Sequence, residues 1–155
     1  EVCRTPEFVY LRRCERAGLV PCQAAWRHFG GGAGVVSARN RSLDDGEVRI
    51  LVETAVRCAC DGHTLRRLDL GGNKLTDAGL NAVARLLSAG GDKEATVACP
   101  DLASLSVAEN ASLRLRAPGA MDAFSNALTK LPALRKLDLS GVAIHGPPAV
   151  GMAKA

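Results

Sequence analysis

The closest grouping of metal-ligating side chains in the chain is Cys58-Ala59-Cys60, with His63 three residues on. Structural zinc takes four ligands, normally as two short-spaced pairs. Here Cys3, Cys14, Cys22 and Cys99 stand singly, and no second pair lies near the first in sequence. The thiols therefore read as buried or idle side chains, with no structural metal and no disulfide expected. Their irregular spacing suits a reducing compartment. Gly30-Gly31-Gly32-Ala33-Gly34 has the composition of a phosphate loop, but that chemistry needs a helix N-terminus directly afterwards. The glycines lead instead into Val35-Val36-Ser37, a strand-like run, so a hinge is the better account. His28, His63 and His145 are scattered, and no motif sets a Ser or Cys nucleophile beside any of them. Asp44-Asp45 falls in a turn, where capping the next helix explains it. No catalytic residue, cofactor, metal or small-molecule substrate is expected, and the chain reads as a non-enzyme.

These residues sit in a chain of 155 residues, enough for one domain with a real core. Apolar residues make up 47% and charged ones 23%, whereas aromatics supply only 3%. The core must then come from Leu, Val and Ala, which suits thin, regular stacking. No apolar run approaches a membrane span, and Glu1-Val2-Cys3-Arg4 lacks the opening of a signal peptide. A chain that opens on Glu rather than Met leaves open a trimmed chain, a fragment or a removed leader. The formal net charge is +4, and residues 1–41, with seven Arg against three Glu, carry all of it. A basic N-terminal region can meet an acidic partner, or it can be a solvated face. The net charge is too small to argue for nucleic acid.

Thr5, Pro6 and Glu7 predict a helix from Thr5 to about Ala17, with Gly18 ending it. Pro21 predicts a second helix, in which Cys22, Ala25, Trp26 and Phe29 form one apolar stripe. Beyond the glycines the chain repeats itself. Leu65-x-x-Leu68-x-Leu70-x-x-Asn73-x-Leu75 is followed by Gly79, Val83, Leu86 and Leu87. Leu102-x-x-Leu105-x-Val107-x-x-Asn110 precedes Gly119, Phe124 and Leu128; Leu134-x-x-Leu137-x-Leu139 precedes Val142 and Ile144. An earlier degenerate unit holds Val35, Asn40, Leu43, Gly46 and Ile50, aligned by the equal separations Asn40–Gly46 and Asn73–Gly79. Such a unit cannot bury its own apolar face, so stacking makes it stable. Residues 88–101 and 111–118 are surplus to the repeat and read as surface loops.

The run Leu65-Arg66-Arg67-Leu68-Asp69-Leu70-Gly71-Gly72-Asn73-Lys74-Leu75 through Gly79 resembles the ribonuclease-inhibitor-like subfamily of leucine-rich repeat proteins. The resemblance covers roughly residues 35–146. It implies an α/β fold: a right-handed β-α solenoid, part of a horseshoe, with a parallel sheet on the concave face and helices outside. Residues 1–30 are expected to form an N-terminal helical hairpin cap, and 31–155 about four repeats, the first and last degenerate. Tyr10-x-x-x-Cys14, with Gly18 and Pro21 after it, resembles the helical leader of axonemal and protist leucine-rich proteins, which implies a cytoskeletal or flagellar setting. Irregular repeats with few cysteines depart from ribonuclease inhibitors proper.

On that fold the outward strand positions form three rows. They are Arg67, Ser104 and Lys136; Asp69, Ser106 and Asp138; and Gly71, Ala108 and Ser140. All nine are expected to be solvent-facing and to dock a protein partner of unknown identity. The competing account pairs Asp69 with Lys136 and Asp138 with Arg67 across the sheet, worth little when exposed. The expected function is a protein-interaction scaffold in a cytoskeletal or flagellar assembly. The alternatives are a subunit of a large ribonucleoprotein or a regulatory GTPase-binding protein. Membrane partners are not expected, and the location is expected to be cytoplasmic. The last unit, ending Leu137, Leu139 and Ile144, is expected to leave an apolar edge that another chain or further repeats cover.

Overall fold

Thr5 starts the first helix as its side chain predicts: the hydroxyl accepts the Phe8 amide at 3.3 Å, and Pro6 occupies the first turn. This helix, α1, runs Pro6–Ala17 and ends at Gly18, whose φ of 69° gives the left-handed cap conformation that glycine adopts without a Cβ clash. The computed structural model describes residues 5–27, 29, 33–60, 64–88, 99–116 and 119–142, the side chains of 59, 60 and 120 excepted. His28, Gly30 to Gly32, His63, the loop core at 89–98, and the tail with Ile144, His145, Pro147 and Pro148 lie outside them. So does the Cys60 side chain, and with it the Cys58–Cys60–His63 grouping.

The second expected helix is a correction. Residues Gln23–Trp26 make only a four-residue 3-10 helix. Tertiary contacts override the helical stripe here. Trp26 wedges between Tyr10 and Phe29, with ring centroids 5.2 Å and 5.3 Å away. The Cys22 amide donates to the Tyr10 hydroxyl at 2.9 Å instead of entering a helix. Burial pushes the Tyr10 phenol well above its ordinary value and raises the Cys14 thiol as well, so both stay protonated at neutral pH. The 3-10 segment packs against α1 and the first strand.

Four three-residue strands come next, β1 Val35–Ser37, β2 Arg67–Asp69, β3 Ser104–Ser106 and β4 Lys136–Asp138, all parallel and in the order β1-β2-β3-β4. The helices between them are α2 Asp45–Cys60, α3 Asp77–Ser88 and α4 Ala120–Thr129. They pack in the same sequence, α1 on α2, α2 on α3 and α3 on α4. Parallel neighbours need a crossover, and here each crossover holds a helix. Leu68, Leu70, Leu105 and Val107 are fully buried in one core with Leu80, Val83, Leu87 and Phe124 of the helices. The repeat pattern predicts the same burial for Leu137 and Leu139, but they are only half-buried; β4 pairs with β3 alone among the described strands.

The register corrects the first repeat by one residue. Val35 pairs with Arg67, and the Asn40 amide donates to the Gly71 carbonyl, so Asn40 matches Gly72 and Arg41 matches Asn73. Asn40, Gly72, Glu109 and Gly141 then share one left-handed turn position, with φ of 56°, 66°, 56° and 73° in that order. Asn tolerates that conformation better than most residues. Gly72 is also needed for space, since a Cβ there would collide with the Asn40 side-chain oxygen.

The next position along holds the repeats together. Asn73 Oδ1 accepts the Arg41 and Leu43 amides of the preceding unit at 3.1 Å, while its Nδ2 donates to the Ala38 and Leu70 carbonyls at 2.9 Å. Asn110 does the same one repeat later, accepting from Leu75 at 3.1 Å and donating to Leu70 at 3.0 Å. At the helix starts the traffic runs forward. Asp44 and Glu47 cap α2 reciprocally, each accepting the other's amide at 2.9 Å, as their place in a turn predicts. Asp45 does not share that task. Its carboxylate reaches the amide and hydroxyl of Thr76 in the next repeat. Asp77 likewise accepts the amides of Arg114, Leu115 and Arg116 at 2.7–2.9 Å. The stretch from Ala111 that reads as a slack loop is therefore pinned, and Leu113 and Leu115 within it are buried.

Leu70→Ala removes a fully buried side chain from the strand-to-helix core. It is expected to lower the unfolding free energy by about 2–5 kcal/mol in urea denaturation.

Candidate functional site

Three of the nine outward positions form the row that the sequence places at the sheet surface. The register brings Arg67, Ser104 and Lys136 directly side by side on β2, β3 and β4. Arg67 and Lys136 are exposed and Ser104 is half-buried between them.

The other two rows are largely withdrawn from the surface, which corrects the expected exposure. Asp69 is only 5% exposed and Ser106 8%, while Gly71 and Ala108 are buried. They bind each other. The Gly71 amide donates to Asp69 Oδ1 at 3.0 Å, the Ala108 amide to Ser106 Oγ at 3.4 Å, and the Ser140 amide to Asp138 Oδ1 at 3.0 Å. Each pair is an acceptor side chain closing onto the backbone two residues ahead, the turn habit of Asp and Ser. These rows bend the chain out of the sheet. On β4 the same motif is more open, with Asp138 half-buried and Ser140 exposed. The Ser140 hydroxyl and amide, then the field of Arg39 and Lys136, hold the Asp138 carboxyl below the usual carboxylate range.

The cross-strand pairing expected between Asp69 and Lys136 and between Asp138 and Arg67 is replaced by another cation. Arg39, beyond β1, lies 3.4 Å from Asp69 and 3.9 Å from Glu109. The Gly71 amide, at 3.0 Å, is the nearer partner of the Asp69 carboxylate. Neither Arg39 nor Glu109 was distinguishable from the sequence, because both sit in turns whose alignment depends on register. Among the described residues no group of three or more His, Cys, Asp and Glu gathers as metal ligands. No described helix is long and apolar enough to cross a membrane.

Repeated three-residue parallel strands, buried Leu at alternate positions and an Asn latch in the turn fit an α/β repeat fold with a leucine-rich-repeat pattern. A family model described as Leucine Rich repeat matches residues 63–84, the segment from before β2 into α3. No curated protein matches the chain. Leucine-rich repeats generally mediate protein–protein interaction and typically serve as scaffolds rather than catalysts.

The turn motif can be tested at two of its acceptors. Asp69→Ala leaves the buried Gly71 amide without its acceptor, and is expected to cost about 1–3 kcal/mol of stability by urea denaturation. Ser140→Ala removes the hydroxyl donor that most lowers the Asp138 pKa. An NMR pH titration is expected to show that carboxyl moving up toward the usual range.

Proposed function

We propose that the chain is a protein-interaction scaffold that docks its partner across the open face of the sheet. The observation that carries this reading is the alignment of Arg67, Ser104 and Lys136 across three adjacent strands, with the other outward rows closed on themselves. A rigid, hydrogen-bonded surface with a row of polar side chains presents a partner with a pre-ordered site, which lowers the entropic cost of binding. Arg39, Glu109, Asp138 and Ser140 border the row and extend the polar rim. Gly71 and Ala108, being buried, drop out of the contact set.

The finer architecture belongs to the same proposal. The repeats form a right-handed β-α solenoid, a segment of a horseshoe of the ribonuclease-inhibitor-like kind, with residues 1–30 covering the β1 edge and 31–155 supplying the repeats. The packing of the 3-10 segment against β1 supports such a cover. We further propose a cytoplasmic, cytoskeletal or flagellar assembly as the setting. That rests on the Tyr10-x-x-x-Cys14 leader, whose two side chains are buried together.

Ser104→Trp plants a large ring in the middle of the row, whereas Arg85→Trp places one on an exposed position of α3. Affinity capture with each variant, compared with the wild type, tests the face. Loss of the captured proteins with Ser104→Trp alone is the expected outcome. Equal retention by both variants would remove the open face as the docking surface.

A further inference from the structure

A second basic row runs beside the first. The Ala103 amide donates to the Arg66 carbonyl at 2.8 Å and the Arg135 amide to the Ala103 carbonyl at 2.9 Å, so Arg66, Ala103 and Arg135 stand abreast. With Arg67, Ser104 and Lys136 they make two dibasic pairs, one at the start of β2 and one at the start of β4. The small Ala103-Ser104 lies between. Two strand spacings separate the pairs by roughly 10 Å. Arg66, Arg67, Arg135 and Lys136 are all exposed, and none forms an ion pair among the described residues.

The acids that border the band keep their charge but form no ion pair with its four cations. Asp69 is held by the Gly71 amide and Arg39, Glu109 reaches Arg39, and Asp138 is held by Ser140. Asp101, exposed just ahead of β3, leaves the band net positive. Four like charges with no direct ion pair among the described residues repel one another, and an anionic partner relieves that repulsion further than the neighbouring acids do.

We propose that this twin dibasic band receives an acidic segment of the partner protein, a run of Asp or Glu side chains crossing the starts of β2, β3 and β4. This rests on the open-face docking proposed above and names the chemistry of what docks. The arginines offer planar forks that match carboxylates two-pronged, and the Ala-Ser floor lets the backbone of an extended segment approach between them. A nucleic acid fits less well. Single strands are gripped by stacking on aromatic rings, and all five aromatics, Phe8, Tyr10, Trp26, Phe29 and Phe124, lie off the strands.

The test is fluorescence anisotropy of the full chain with labelled oligoglutamate, and with oligoglutamine and oligouridylate of equal length. Oligoglutamate is expected to bind at about 0.01 M ionic strength and weaken toward 0.15 M, as the screening length falls from about 30 to about 8 Å. Arg67→Glu with Lys136→Glu is expected to weaken binding roughly tenfold or more, two exposed pairs being turned from attraction to repulsion. Arg49→Glu with Arg85→Glu, the same charge change on exposed helix positions, is expected to cost about twofold or less. Arg67→Gln with Lys136→Gln is the gentler pair, expected to give an intermediate loss with an unaltered thermal transition. No binding of oligoglutamate, equal loss in both reversed pairs, or tighter binding of oligouridylate through the same residues would overturn the proposal. If Ser104→Trp abolishes partner capture while the charge reversals leave oligoglutamate binding intact, the docking face stands and the acidic segment falls. If the reversals abolish peptide binding while Ser104→Trp captures normally, the acidic segment binds but the scaffold reading of the face falls.

Discussion

Every strand here is three residues long, too short to hold a sheet by its own ladder, so the joints between turns matter more than the strands. The side-chain amides of Asn73 and Asn110 make those joints. Each accepts backbone N–H groups of the preceding turn and returns its own hydrogens to carbonyls on both turns. Both side chains are buried, so every bond they make replaces one that water can no longer supply. Fixing these turns fixes the register of β1 to β3, which brings Arg67 and Ser104 into line, and the backbone ladder from β3 to β4 adds Lys136. The surface is thus a product of buried amide chemistry one layer beneath it.

Val142 shows what happens where the amide is missing. It stands one position after Gly141, the place that Asn73 and Asn110 hold in their repeats. Val142 offers no side-chain acceptor to the preceding turn, and within that turn the Leu113 amide donates to the Asn110 carbonyl at 3.0 Å. On the last described strand Leu137 and Leu139 are half-buried, where their counterparts are fully buried. Backbone ladder bonds such as Glu109 to Ser140 at 2.6 Å still join it to β3.

The Leu-x-x-Leu-x-Leu spacing made the strands, their parallel order and the core legible, because apolar periodicity reports directly on which side chains leave water. It failed wherever one residue of shift or one local bond decides the outcome. Asn40 looks like the partner of Asn73, since both are Asn ahead of a Gly. Only the pairing of Val35 with Arg67 shows that Arg41 holds the latch position. Asp69 and Ser106 look outward by alternation, yet their short acceptor side chains fold back onto the next turn and leave the surface. The helical stripe from Cys22 to Phe29 is real as a pattern, but Trp26 gains more from Tyr10 and Phe29 than from extending a helix. The forward bond from Asp45 to Thr76 spans repeats, and no local rule announces it.

The two kinds of joint point in opposite directions: Asn reaches back to the previous turn, and Asp45 and Asp77 reach forward to the next. Among the described units only the one from Leu65 to Ser88 owns both, in Asn73 and Asp77. It is also the unit whose own turn supplies the groups that both kinds grasp, the Leu70 carbonyl and Leu75 amide for an Asn, and Thr76 for an Asp. A tandem copy of that unit would carry both kinds of joint and both kinds of group that they grasp. In the language of gene duplication, that unit alone among the described ones carries the makings of a joint at both of its ends.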